Sequence, residues 1–327
     1  MTGQQGLFGE GEDPECLPAP AHEEAVRLGE RLPAHVKLGT SSWTFPGWKG
    51  LVYEGDVRMP ALTRDGLRAY AQHPLFRTVG IDRSYYAPLT ESDLATYASQ
   101  LPIGFETLSK VWDEVTTFVF PDHPRYGARA GRRNPRFLAP HLFLAEVLPA
   151  YERAFVPHTG PFIFELAPVR DLGPEEQRAI LIAIERLLHH LPRSFSYAFE
   201  LRTPPLLSAR YLDILGAHGA AHVLSSWTGM PSVPTQLALK GVLTAPFVVA
   251  RLTLPPGIRY EDAKQRWAPF DRMQKPELAL RQAIATLAAR CADEGRTLSV
   301  LVGNKIEGSA PLTVRALAEA ISSPPPA

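Results

Sequence analysis

Short β-type runs alternate with longer helical ones along almost the whole chain. That alternation restricts the fold to one built from parallel βα units. The β-type runs fall at 36–42 (VKLGTSS), 78–84 (TVGIDRS), 105–110 (FETLSK), 161–166 (PFIFEL), 196–201 (SYAFEL), 221–226 (AHVLSS), 247–253 (FVVARLT) and 298–304 (LSVLVGN). Helical patterns lie at 61–73, 90–100, 137–155, 175–190, 205–218, 234–242, 276–294 and 311–321. Thr90 and Asp93 stand at capping-box spacing. Pro174 opens the amphipathic run EEQRAILIAIERLLHH, as suits a helix start. Eight strands with eight helices predict an α/β fold closed as a TIM (β/α)8 barrel. A doubly wound open sheet is the alternative. It lacks support because GTSSWTFPGW, not G-x-G-x-x-G, follows the first strand.

A single barrel over 35–327, after an N-terminal extension over 1–34, accounts for the 327 residues. Within the extension, residues 1–20 are rich in Gly, Pro, Glu and Gln and read as a flexible tail, and 21–32 as a short amphipathic helix. The 34 basic and 34 acidic side chains cancel, which argues against a general nucleic-acid or membrane-surface binder. Cys16 and Cys291 fit no metal or redox spacing, so a reduced, cytoplasmic protein is the simple expectation. The chain shows no leader-like start and no run of about 18 apolar residues that would span a membrane.

In a barrel, residues at the carboxyl ends of the strands with inward parity form the mouth. That rule selects Asp82, Lys110, Glu165, Glu200, Arg251 and Asn304, with Arg202 and Lys305 just past strand ends. Buried charges cost several kcal/mol unless paired, so these residues mark either a site or an ion-pair network. Glu165 depends on strand register, since a slip of one residue turns it outward. Trp43, Trp48, Tyr85, Tyr86 and Trp227 crowd the same end, where rings stack on a sugar or base or simply pack under loops. Trp43 and Tyr86 are the ones expected to stack. Two long connections, 111–136 and 254–275, also leave this end. The first carries Arg125, Arg129, Arg132, Arg133 and Arg136 against Asp122, a loop able to meet phosphate or nucleic acid weakly, and mobile through Gly127 and Gly131. No histidine pair sits at a strand's carboxyl end and no G-x-S-x-G is present, so neither a metal site nor a nucleophilic serine is expected.

The segment GTSSWTFPGWKGLVYEG followed by IDRSYYAPL resembles the opening of the YecE-like family, domain of unknown function 72. The likeness continues in FETLSK, PFIFELAP, FELR, VARL and VGNKIEGSAPLTVRAL and covers about 36–320. It implies a TIM barrel without an established reaction, with Thr40, Trp43, Tyr86, Lys110, Glu200, Arg202, Arg251 and Asn304 as site positions. The chain departs from the family pattern at Gly80 (Glu), Asp82 (Asn), Glu165 (Gln), Thr203 and Thr253 (both His) and Gly303 (Asn).

These features lead to an expected enzyme, a hydrolase or lyase without metal or other cofactor, acting on a small phosphorylated or sugar-like substrate. Glu200 would be its acid or base, with Arg202, Asp82 and Glu165 beside it. Lys110, Arg251 and Lys305 would hold an anionic group, and Thr40, Trp43, Tyr86 and Asn304 the rest of the ligand. The rival readings are a non-catalytic ligand- or nucleic-acid-binding barrel and a retaining glycosidase using Glu165 and Glu200.

Overall fold

The computed structural model describes residues 15–323. Eight parallel strands close into a barrel in chain order: β1 Val36–Thr40, β2 Thr78–Ile81, β3 Glu106–Lys110, β4 Thr159–Glu165, β5 Tyr197–Glu200, β6 Ala221–Ser226, β7 Phe247–Leu252 and β8 Thr297–Val302. β1 completes the ring by pairing with β8, Thr40 against Val302. Gly39 permits the tight β1–β2 seam, because a Cβ there would lie 1.9 Å from the Thr78 carbonyl oxygen.

Both faces of the sheet are buried, which explains why the strands read as nearly continuous apolar runs. Leu108, Ile163, Ala198, Val223, Val249 and Leu301 pack together inside the barrel. Their strand neighbours Phe162, Phe164, Phe199, Leu224, Val248 and Val300 join the larger core under the helices. The helix Pro174–His190 shows how the shell is attached: Ile180, Ile184 and Leu187, at helical spacing, are all buried. The Thr90–Asp93 capping box forms, with Thr90 Oγ1 accepting from the Asp93 amide at 3.1 Å and Asp93 Oδ2 accepting from the Thr90 amide at 3.1 Å.

Three expectations need correction. The flexible-tail reading of 1–20 does not hold over 15–19; residues 1–14 lie outside the described residues. Cys16 is buried in the main core, the Ala19 amide donates to Val52 O at 2.8 Å, and the Glu54 amide donates to Leu17 O at 3.1 Å. The helix Glu23–Arg31 is tied down as well, since the Arg77 guanidinium donates to the carbonyls of Gly29, Leu32 and Pro33 at its carboxyl end. The continuous helix expected at 137–155 is broken into Pro140–Leu142, a wide turn at Phe143–Val147, and Leu148–Ala154. Pro149 has no N–H to give to the preceding turn, so the helix must widen there. The connection 254–275, expected as a loop, holds the helix Tyr260–Trp267. Among the described residues, no helix is long and apolar enough to cross a membrane.

Candidate functional site

The mouth is built where the inward face of the strands changes from apolar to charged. Glu165 and Glu200 stand directly opposite each other on β4 and β5. Two like charges at such a position repel, and two arginines hold them together. Arg202, just past β5, donates through Nε to Glu200 at 2.8 Å and through a terminal nitrogen to Glu165 at 2.9 Å. Arg251 on β7 binds Glu165 at 2.8 Å and also Glu200. Lys110, at the end of β3, sits 3.0 Å from Glu165 and 3.2 Å from Asp82. Arg251 reaches Asp82 at 3.5 Å. The result is a closed network of three carboxylates and three cations.

Electrostatics follows from this packing. Burial alone would raise the pKa of Glu165, but Arg202, Lys110 and Arg251 outweigh it and hold the carboxyl well below its ordinary value. Burial likewise opposes the charge on Arg251, yet Glu200, Asp82 and Glu165 raise its pKa above the usual arginine value. Glu165 and Arg251 therefore both stay ionised across the neutral range.

Above the network opens a cavity of about 340 Å3. Asp82, Lys110, Glu165, Arg202 and Arg251 line its floor, and Lys305 and Asn304 its β8 side. Phe45, Trp48, Tyr85, Tyr86, Trp227 and Tyr260 form the walls. The Arg202 guanidinium lies 3.6 Å from the Trp227 ring centroid, close enough for a stacked cation–π pair. Lys305 Nζ lies 4.0 Å from the centre of Tyr260. Ser41 Oγ, Arg251 Nε and Thr253 Oγ1 are buried polar atoms of cavity-lining residues with no hydrogen-bond partner among the described residues.

The structure brings Asp82, Lys110, Glu165, Glu200, Arg202, Arg251, Asn304 and Lys305 together at the carboxyl ends of the strands. Their positions within it differ. Glu200 has a fully buried side chain, lies beneath the cavity rather than in its lining, and has both oxygens engaged by arginines. Asn304 lines the cavity, but its Oδ1 accepts from Trp48 Nε1 at 3.0 Å and the Ala310 amide at 2.9 Å. It fixes a wall residue and a helix start. Tyr86 sits at the rim, 65% exposed. Thr40 and Trp43 do not reach the mouth. Thr40 Oγ1 bonds Tyr70 OH at 2.9 Å, and Trp43 Nε1 donates to Leu62 O at 3.2 Å while the ring packs edge-on against Tyr97. Thr40 shares the outward parity of Leu38, and Ser41 is the inward residue. Sequence reasoning passed over Phe45 and Tyr260 as wall residues and left Trp48 and Trp227 between stacking and packing; Trp48 is packed in the core with its edge at the wall, and Trp227 is partly exposed. Their proximity comes from loop geometry that no strand periodicity encodes.

At Gly80, a Cβ would lie 2.7 Å from Ser41 O, so the β1 loop has closed over the position where the family pattern carries Glu. Thr203 is also turned from the cavity, its Oγ1 accepting from the Val169 amide at 3.0 Å.

The arginine loop differs from its expected character. Arg125 is bound to Asp113, Arg129 to Glu114 at 2.6 Å, and Arg136 approaches Glu114 at 3.7 Å. Arg133 lies over the Phe118 ring. Asp113 and Glu114, in the short helix Asp113–Thr116, are buried and supply the charge that Asp122 was expected to provide. Asn134 pins the loop by donating to Glu114 O at 2.8 Å and Thr117 O at 2.9 Å. Among the described residues, no group of three His, Cys, Asp or Glu side chains is arranged to hold a metal ion. In the mouth, cations bind one oxygen each of Asp82 and Glu165 and both of Glu200.

A closed parallel barrel with its polar groups and cavity at the carboxyl ends of the strands is a TIM-barrel protein by architecture. The family model described as protein of unknown function DUF72 matches residues 37–326, and the chain belongs to that family. Solved structures agree on the fold. A DUF72 family protein of Enterococcus faecalis superposes with a TM-score of 0.64 at 14% identity, covering 88% of this chain and 96% of that one. A DUF72 family protein of Thermotoga maritima gives 0.59 at 17% identity, covering 88% and 99%. Comparison with curated proteins finds no match.

Proposed function

We propose that the barrel mouth binds a small ligand joining an anionic group of phosphate type to a ring-shaped polar body such as a sugar, and that the protein acts on it as a hydrolase or lyase. The observation that carries this reading is the charge of the lining. Lys110, Arg202 and Arg251 are matched by Asp82, Glu165 and the Glu200 beneath the floor, and Lys305 adds one positive charge beyond that balance at the cavity wall. An added anion would balance that surplus in a partly desolvated site, where each charge-assisted hydrogen bond is strong. Tyr85 and Trp227, both partly exposed, supply faces on which a ring can rest.

The buried position of Glu200 changes its assignment. It holds Arg202 and Arg251 in place, and proton transfer falls to Asp82, whose side chain is 37% exposed and whose ion pairs use only Oδ1. A retaining glycosidase needs two carboxyl groups that both reach the substrate, and the burial of Glu200 weighs against it. Nucleic-acid binding through the arginine loop loses its support because Arg125, Arg129 and Arg136 already face buried carboxylates.

Calorimetric titration with hexose phosphates, the matching free hexoses and inorganic phosphate tests the proposal. Hexose phosphates should bind more tightly than either part alone, and Lys305→Ala should weaken them. Equal binding of free and phosphorylated sugar, or no binding by either, would reject it.

A further inference from the structure

A second cavity of about 240 Å3 adjoins the mouth and is of the opposite chemical character. Trp227 lines both cavities. Where β7 and β8 continue into their loops, consecutive residues divide between them. Thr253 faces the mouth and Leu254 the second cavity; Lys305 faces the mouth and Ile306 the second cavity. Just past β7 the chain sends Thr253 and Leu254 to opposite sides, and the turn after β8 does the same with Lys305 and Ile306, so the second cavity lies beside the mouth at β6–β8. Its lining is Met230, Val233, Leu254, Leu280 and Ile306 with three prolines.

The two serines and the one carboxylate of that lining have partners, although Glu277 Oε1 makes no hydrogen bond within its ion pair. Ser226 Oγ accepts from the Thr253 amide at 2.9 Å, Ser232 Oγ pairs with Thr235 Oγ1 at 2.8 Å, and Glu277 is ion-paired to Lys275 at 2.8 Å. What remains for a ligand is mostly apolar surface. The partition is the Trp227 indole, stacked on Arg202.

We infer that the two cavities form one bipartite site, and that the ligand carries an apolar group of about the size of an aromatic ring beside its anionic group. The assignment of the anionic end rests on the reading of the mouth given above; the apolar subsite stands on its own lining. A cavity of about 150 Å3 already admits benzene in a protein interior, so the space is sufficient for a phenyl ring or a short branched alkyl group. The occupant is chosen by continuity: the cavity shares the Trp227 wall with a charged site and its lining is mostly apolar. The ligand class is therefore the phosphate-type compound read at the mouth with an aryl or alkyl substituent added, and phenyl phosphate is its simplest probe.

The test uses three probes on the full chain: inorganic phosphate, phenyl phosphate and toluene. Dissociation constants are measured for the wild type, for Leu280→Trp, which fills the second cavity, and for Ala279→Phe, a milder change at an exposed residue of the same lining. Phenyl phosphate should bind at least about tenfold more tightly than inorganic phosphate in the wild type, as expected from burying a ring. Both substitutions should reduce that advantage while leaving inorganic phosphate unchanged, and both should weaken toluene. Toluene binding that the substitutions weaken, with neither phosphate compound bound, would keep the apolar subsite and reject the anionic reading of the mouth. Equal affinity for the two phosphates, together with toluene binding that is absent or indifferent to both substitutions, would overturn the bipartite site.

Discussion

Two positions along a strand separate the apolar interior of this barrel from its charged mouth. Leu108, Ile163, Ala198 and Val249 pack against one another inside the ring. Lys110, Glu165, Glu200 and Arg251 follow two residues later on the same strands and form an ion-pair network with Arg202 and Asp82. The backbone is the same in both layers, and only the side chains change. The lower layer gains from burying apolar surface, at about 25 cal/mol per Å2. The upper layer at best roughly breaks even, because desolvating ions offsets their attraction. A barrel closes without such charges, so stability does not account for them, and the function proposed above assigns them to a ligand.

The sharpest way to break this contrast is to remove one member of the buried network. Glu200→Gln leaves Arg202 and Arg251 with Glu165 as their main counter-charge and should lower unfolding stability by about 3–5 kcal/mol. Urea denaturation reads this directly, and a loss under about 1 kcal/mol would show that the network is slack. In the lower layer, Ile163→Ala should cost about 3 kcal/mol through the cavity it opens. The same variant should leave ligand affinity unchanged by calorimetry, since nothing at the mouth is removed.

Acid distinguishes the helical shell from the mouth. His222, at the start of β6, hydrogen-bonds Tyr211 and Gln236, and burial pushes its pKa down to about 4. His73 is only half-buried by surface area, but desolvation likewise lowers its pKa to about 4. A depressed histidine pKa means the unfolded chain binds the extra proton first. Stability should hold above about pH 6.5 and fall towards pH 4, by up to about 3 kcal/mol per fully buried histidine. Glu165 acts in a lower window: its depressed pKa contributes stability above the ordinary carboxyl value that is lost on further acidification. A stability–pH profile of His222→Gln should be flatter by about one proton between pH 6.5 and 4. An unchanged slope would contradict the burial argument.

The smallest effect is expected at the residues that the family likeness placed in the site but the structure places in the shell. Thr40→Val should cost about 1 kcal/mol through its lost bond to Tyr70. It should leave ligand binding untouched, and a large loss of affinity in a well-folded variant would return Thr40 to the site.

The barrel was legible because eight apolar runs separated by helical periods leave few other topologies. Strand parity alone was enough to bring Lys110, Glu165, Glu200 and Arg251 to one place. It failed at Thr40, where the assignment followed a motif rather than the alternation set by Leu38. It also could not show that Glu200 is covered, because depth below the mouth depends on the arginines folded over it. The loops were least legible. The arginines of 125–136 were matched to Asp122 in sequence, whereas Asp113 and Glu114 meet them through a short helix whose position only the folded chain defines.

Lys110 offers the most direct test of the claim that the mouth's charges serve a ligand. It lines the cavity and pairs with Asp82 and Glu165, both of which retain Arg251 when it is gone. In Lys110→Met, unfolding free energy and affinity for phenyl phosphate are to be measured on the same preparation. The account predicts a stability loss of less than about 2 kcal/mol with an affinity loss of at least about tenfold. Unchanged affinity with a stability loss of about 3–5 kcal/mol would mean that the network holds the barrel together and serves no ligand.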